Sequence, residues 1–146
     1  DVLPGCFFKQ LLNCSHCLFP ASFEVTVPNK HLLAIRGRPA VLGCEFTPDP
    51  DLSNLVVTWQ RQEDARVVHS FYYQQDQLDR QSPEYHNRTS LYVLELHKGN
   101  ASLRIAAVRP KDAGWYMCIV SNAKGTGRRP ASFSGSLDAK FTFVVV

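Results

Sequence analysis

Five cysteines are the residues of this 146-residue chain best suited to do chemistry: Cys6, Cys14, Cys17, Cys44 and Cys118. Cys14-Ser15-His16-Cys17 has the spacing of a redox pair or of half a zinc site. A zinc site needs two further ligands at fixed spacing and no second pair follows, so neither a metal nor a cofactor is expected. His69, Ser70 and Asp76 supply the residue types of a hydrolytic triad. No nucleophile elbow or oxyanion motif accompanies them, and a His and a Ser adjacent on one strand point to opposite faces. Catalysis is rejected on those grounds. What remains is Asp112-Ala113-Gly114-Trp115-Tyr116-Met117-Cys118, with Cys44 and Trp59 far upstream.

That array, Cys…Trp…Asp-x-Gly-x-Tyr-x-Cys, resembles the hallmark of an immunoglobulin sandwich. The resemblance implies an all-β fold in which a Cys44–Cys118 disulfide joins facing sheets and Trp59 packs on the bridge. It also implies that the Tyr116 hydroxyl returns to the backbone at the corner preceding its strand. Closing so long a loop stabilises the fold by about 4 kcal/mol in the chain-entropy model. The separation of 74 between the cysteines leaves room for two extra strands, so the domain is variable-type, or V-set. That type implies a pair between Arg88 and Asp112 that closes the bottom of the barrel and carries no activity.

The elements that must position these residues are legible as alternation, and take the letters of the sandwich. Residues 23–27 form strand A, which stops at Pro28 and resumes over 31–35. Ala40, Leu42, Cys44 and Phe46 share one face of strand B, and Leu55, Val57 and Trp59 face inward on strand C, 55–62. Residues 66–73 form C′, a ragged C″ follows within 74–86, and 89–94 form D. Ala101, Leu103, Ile105 and Val108 line the inner side of E, and 114–121 form F. Gly125-Thr126-Gly127 opens a hairpin into G. The run 128–138 is polar and contains Gly, Ser and Pro, so it reads as a long loop or an insertion. Residues 141–146 are left as strand G.

A formal charge of +3 with scattered basic residues excludes a nucleic-acid stripe. No apolar run approaches the roughly 18 residues of a membrane helix. Asn13-Cys14-Ser15, Asn87-Arg88-Thr89 and Asn100-Ala101-Ser102 are glycosylation acceptor triplets. With an inter-sheet disulfide, they favour the secretory pathway. Residues 1–22 interrupt an apolar stretch with Lys9, Asn13 and His16 and hold three cysteines. They are set outside the fold, as a leader remnant, as non-native sequence or as an extension with its own disulfide. The immunoglobulin domain is assigned to 23–146.

Val67-Val68-His69-Ser70-Phe71, Tyr85-His86-Asn87-Arg88-Thr89-Ser90-Leu91 and Gly99-Asn100-Ala101-Ser102-Leu103-Arg104-Ile105 narrow the resemblance. Together with the strand F motif, they are similar to the membrane-distal variable domain of the B-seven family of T-cell costimulatory and coinhibitory ligands, whose plan the butyrophilins share. The resemblance implies an extracellular, cell-surface domain from a membrane-anchored parent. Its implied partner is a CD-twenty-eight-like or natural-killer receptor on lymphocytes, docked on the front sheet of strands G, F, C and C′.

Strand register selects the residues of that face. With Tyr116, Cys118 and Val120 inward, Met117, Ile119 and Ser121 face out; with Trp59 inward, Val56, Thr58, Gln60 and Gln62 do. On C′, His69 and Phe71 are the expected outer residues, and a slip of one position would exchange them for Val68 and Ser70. Apolar residues on an outer sheet face are unusual unless something covers them. The expected receptor face is Val56, Thr58, Gln60, His69, Phe71, Met117 and Ile119. The alternative function is homophilic or heterophilic adhesion, with self-association. Met117 and Ile119 fill the outward slots where a sialic-acid lectin would place an Arg, and strand G lacks the joining pattern of an antigen receptor.

Overall fold

The computed structural model describes residues 22–138 and 141–143. The N-terminal segment set apart above lies outside these except for Ser22, together with Cys6, Cys14, Cys17 and Asn13. Among the described residues twelve strands form two facing layers, with short 3-10 turns at Pro83–Tyr85, Val93–Lys98 and Pro110–Asp112.

The back layer contains β3 (Ala40–Leu42), β9 (Leu103–Ile105) and β8 (Thr89–Leu91), paired in that order and antiparallel. β1 (Val25–Thr26) pairs with β4 (Glu45–Phe46), and a bridge from Glu45 to Asn100 joins this ribbon to the segment before β9. The front layer runs β12 (Phe141–Phe143), β11 (Gly125–Asp138), β10 (Gly114–Asn122), β5 (Val56–Arg61), β6 (Val67–Tyr72) and β7 (Gln75–Asp76). β2 (His31–Ile35) adds to β11 in parallel, from Ser132 onward.

Alternation explains where the core lies. Ala40, Leu42, Cys44 and Phe46 are buried from one layer, as are Ala101, Leu103, Ile105 and Val108, while Leu55, Val57 and Trp59 are buried from the other. Period-two burial of this kind is what a half-covered antiparallel strand requires. The disulfide between Cys44 and Cys118 spans the layers, and the Trp59 indole N–H donates to the Ala101 carbonyl at 2.8 Å. That bond satisfies a polar atom that would otherwise be stranded in the core.

The strand that pairs with β10 is β11; of the run expected there, Phe141–Phe143 adds to the far side of β11 as β12, and 144–146 lie outside the described residues. Its polar run 128–138 is strand rather than loop or insertion. Ala131 and Phe133 point inward and are fully buried, whereas Arg128 and Pro130 pair with the outward Ile119 and Met117. Upstream of Ser132 this strand has no partner on its far side among the described residues. Charges and a proline are the usual composition of such an edge. The polarity that reads as a loop is therefore the signature of an edge strand with one wet face.

Candidate binding face

β10 is held in register by the corner that precedes it. Tyr116 is buried, its hydroxyl donates to the Asp112 carbonyl at 2.5 Å, and it lies 3.0 Å from the Tyr85 hydroxyl. Burial pushes the Tyr116 phenol well above its ordinary range, and Tyr85 beside it adds to the effect. Phe133 stacks on the Tyr116 ring at 5.5 Å, and the Arg61 guanidinium sits 4.8 Å from the ring centre. Arg61 also donates to the carbonyls of Asp112 and Ala113, and a side chain at Gly114 would meet it at 2.8 Å. Gly114, at φ 139°, is the residue that lets the guanidinium in.

Below this corner Arg88 and the buried Asp112 pair through both carboxylate oxygens, Arg88 Nη1 reaching Oδ1 at 3.1 Å. Arg88 also donates to the carbonyls of Glu84 and Ala107, and the Arg109 N–H donates to Asp112 Oδ2 at 2.8 Å. The arrangement ties the C-terminal part of the back layer to the start of β10. It offers no reacting group.

With Tyr116, Cys118 and Val120 buried, the half-buried Met117, Ile119 and Ser121 lie on the outer face of β10. Their register partners on β5 are Gln60, Thr58 and Val56, and on β11 Pro130, Arg128 and Thr126. Residues directly opposite share a face, so these nine form three rows across the sheet. Val56 is 40% exposed, and Thr58 and Gln60 are half-buried.

His69 and Phe71 do not belong to this face. They stand opposite Trp59 and Val57, which point into the core, and both are buried. Ser70, opposite Thr58, takes the outer position, as does Val67 opposite Gln60. The register steps from Trp59–His69 to Gln60–Val67, so Val68 is the extra residue of a β-bulge. Val68 is buried beside His69, the outward Ser70 is buried too, and with Phe71 the run shows no alternation from which to infer a face. His69 Nε2 lies 2.8 Å from Asp76 Oδ1 and Nδ1 lies 2.8 Å from Thr89 Oγ1, so the imidazole links β7 to β8. Ser70 is on the other side of the sheet from this pair. The three residue types of a triad are thus not assembled.

Asn87 is exposed just before β8, in the left-handed region at φ 57°. Asn100 is half-buried; its side-chain oxygen accepts from the Ser102 N–H, and Ser102 Oγ accepts from the Cys44 N–H. Among the described residues no group of three His, Cys, Asp or Glu could hold a metal ion, and no helix is long and apolar enough to cross a membrane.

Five outward residues escape a sequence-level list: Thr126, Arg128, Pro130, Val67 and Tyr72. The first three lie in or beside the run whose polarity hides a strand. The alternation of Ala131 and Phe133 is the signal that could have found them. Tyr72 follows the inward Phe71 and leads into a two-residue loop, Tyr73-Gln74, between β6 and β7.

An inter-sheet disulfide beneath an indole, a tyrosine corner and a front layer with two added strands define a variable-type immunoglobulin domain. The model of the immunoglobulin V-set domain matches residues 27–134, and the chain belongs to that family, in its B-seven and butyrophilin branch. Human V-set domain-containing T-cell activation inhibitor 1 is 36% identical over 91 residues, 62% of this chain and 32% of that protein. The crystal structure of the human B7-H4 IgV-like domain is similar with a TM-score of 0.73 at 31% identity, over 77% of this chain and 96% of that one. Bovine butyrophilin is similar with a TM-score of 0.68 at 25% identity, over 79% of this chain and 56% of that one. The chain thus spans about a third of the length of the human curated relative it matches.

Proposed function

We propose that this chain is an extracellular ligand-type immunoglobulin domain, carried at the cell surface by a membrane-anchored parent. It docks on a receptor of T cells or natural-killer cells through the outer face of its front sheet and modulates lymphocyte activation. The observation that carries this reading is the row structure around Met117, Ile119 and Val56. Three apolar side chains stand on the outer side of adjacent strands, bordered by hydroxyl and amide groups. An apolar centre within a polar rim is the composition of a protein interface. The likeness to a T-cell activation inhibitor and to a B7-H4 domain supports the same class of partner.

An Fc fusion of the domain, applied to cells displaying a library of lymphocyte receptor ectodomains, should mark a receptor. Met117→Arg and Ile119→Asp should each abolish that staining while leaving the melting temperature nearly unchanged, because surface substitutions rarely move stability by more than about 0.5 kcal/mol. Staining that survives both changes overturns the reading. Self-association at micromolar concentration with no receptor marked would favour adhesion instead.

A further inference from the structure

The Tyr73-Gln74 loop between β6 and β7 holds both residues at positive φ, 52° and 63°. Two-residue hairpin loops of this kind favour Asn and Gly, because a Cβ crowds the backbone in the left-handed region. A tyrosine there strains the hairpin, and such outliers concentrate where a ligand is held. The Tyr73 side chain does nothing for the core: the residue is 79% exposed and its ring meets Tyr72 edge-on at 5.3 Å. Beside the two rings, Ser53, Asn54, Leu55 and Val56 complete a groove of about 220 Å³. Its wall contains no charged side chain.

Across the sheet from that groove stands Arg128, opposite Ile119. Among the outward residues of the three rows it is the single charged one, and it makes no ion pair among the described residues. Two strand spacings and two residues along the strands separate it from the Val56 end of the groove, about 12 Å.

We infer that Tyr73 anchors the receptor. The groove takes an uncharged apolar side chain of a receptor loop, and a carboxylate of the same receptor, about 12 Å from that side chain, meets Arg128. This rests on the front-sheet reading above and specifies the chemistry of its partner. A second copy of this chain is the poorer fit, because the three rows of an opposed face hold no carboxylate for Arg128 to meet.

The test uses the whole chain as an Fc fusion on the receptor-displaying cells. Tyr73→Ala and Arg128→Glu should each raise the half-saturating concentration by at least about 10-fold, and Tyr73→Phe should stay within about 3-fold. Tyr73→Gly should weaken binding to the same degree while raising the melting temperature, since glycine adopts positive φ without strain. Wild-type binding should fall with salt more steeply than binding of Arg128→Ala. If Met117→Arg abolishes staining while Tyr73→Ala and Arg128→Glu stain as the wild type does, the anchor is wrong and the front-sheet reading stands. If none of these changes matters, or no receptor is marked, both fall. Staining lost when surface glycans are stripped from the cells would make the groove a sugar site and overturn the inference.

Discussion

Trp59 stands directly opposite Cys118 in the register of β5 and β10. The indole and the disulfide to Cys44 therefore lie on the same inner face. The indole N–H crosses to the Ala101 carbonyl ahead of β9, so one side chain is bound both to its neighbour strand and to the opposite layer. The outer positions of β5 and β10 inherit their direction from this contact. Turning Trp59 inward is what turns Thr58 and Gln60 toward Ile119 and Met117 on the far side.

Trp59→Ala should therefore cost about 3 to 5 kcal/mol, the range for a large aromatic removed from a packed core. Trp59→Phe should be milder yet still destabilising, because it strands the Ala101 carbonyl. Urea midpoints of the three proteins check both statements. A Trp59→Ala midpoint close to that of the wild type would mean that the indole does not hold the layers together.

Arg88 is the second structural contact with a measurable consequence. Its loss leaves the buried Asp112 carboxylate with the Arg109 backbone N–H at 2.8 Å and the half-exposed Arg109 guanidinium at 3.6 Å. Arg88→Met should cost about 3 kcal/mol, since a buried carboxylate loses its two-point partner and the longer Arg109 contact replaces only part of it. Arg88→Lys should recover only part of that, because an ammonium cannot engage both carboxylate oxygens in parallel. Receptor staining at saturating concentration should be unchanged in both variants at temperatures where they remain folded.

Alkaline pH should act through the corner. Burial raises the Tyr85 phenol as it does that of Tyr116, so both lose their protons later in the folded chain than in the unfolded one. An acid whose folded pKa is raised contributes stability that is complete below the unfolded value, about 10 for tyrosine, and that is lost as pH rises past it. Each phenol should contribute a decline of up to about 1.4 kcal/mol per pH unit. Urea midpoints at pH of about 9, 10 and 11 should fall progressively, and Tyr85→Phe should flatten the decline. A midpoint constant over that span would contradict the placement of these hydroxyls.

The strands legible in the sequence are those with one dry face and one wet one. Ala40, Leu42, Cys44 and Phe46 alternate cleanly because only one side of their segment meets the core, and Leu103 and Ile105 do so for the same reason. The C′ strand fails that test at its bulge. The extra residue, Val68, is buried beside the inward His69, and because the outward Ser70 is buried as well, four buried side chains stand in succession. His69 and Phe71 cannot be assigned a side without their partners Trp59 and Val57. The Tyr73-Gln74 loop lacks the Asn and Gly that normally announce a hairpin. β11 is obscured differently. As an edge strand it carries Arg128, Arg129 and Pro130, and within 125–134 its buried apolar residues are Ala131 and Phe133. A third of the nine-residue face sits on that strand, so misplacing it hides Arg128.

Phe133 decides which segment closes the sandwich. It is fully buried, stands opposite Gly114 at the start of β10, and stacks on the Tyr116 ring that fixes the corner. If β11 is the closing strand, Phe133→Ala removes core volume and should cost about 3 to 5 kcal/mol. The neighbouring Ser134→Ala, at a half-buried position, should stay within about 0.5 kcal/mol of the wild type. The pair of variants separates packing from mere strand propensity, since alanine enters the same strand in both. Amide exchange provides the second readout. Protection at Ala131 and Phe133 should match that at Cys118 and Val120, because residues of one cooperative ladder open together. Rapid exchange at Ala131 with slow exchange at Cys118 would return 128–138 to a loop, and with it remove Arg128 from the face.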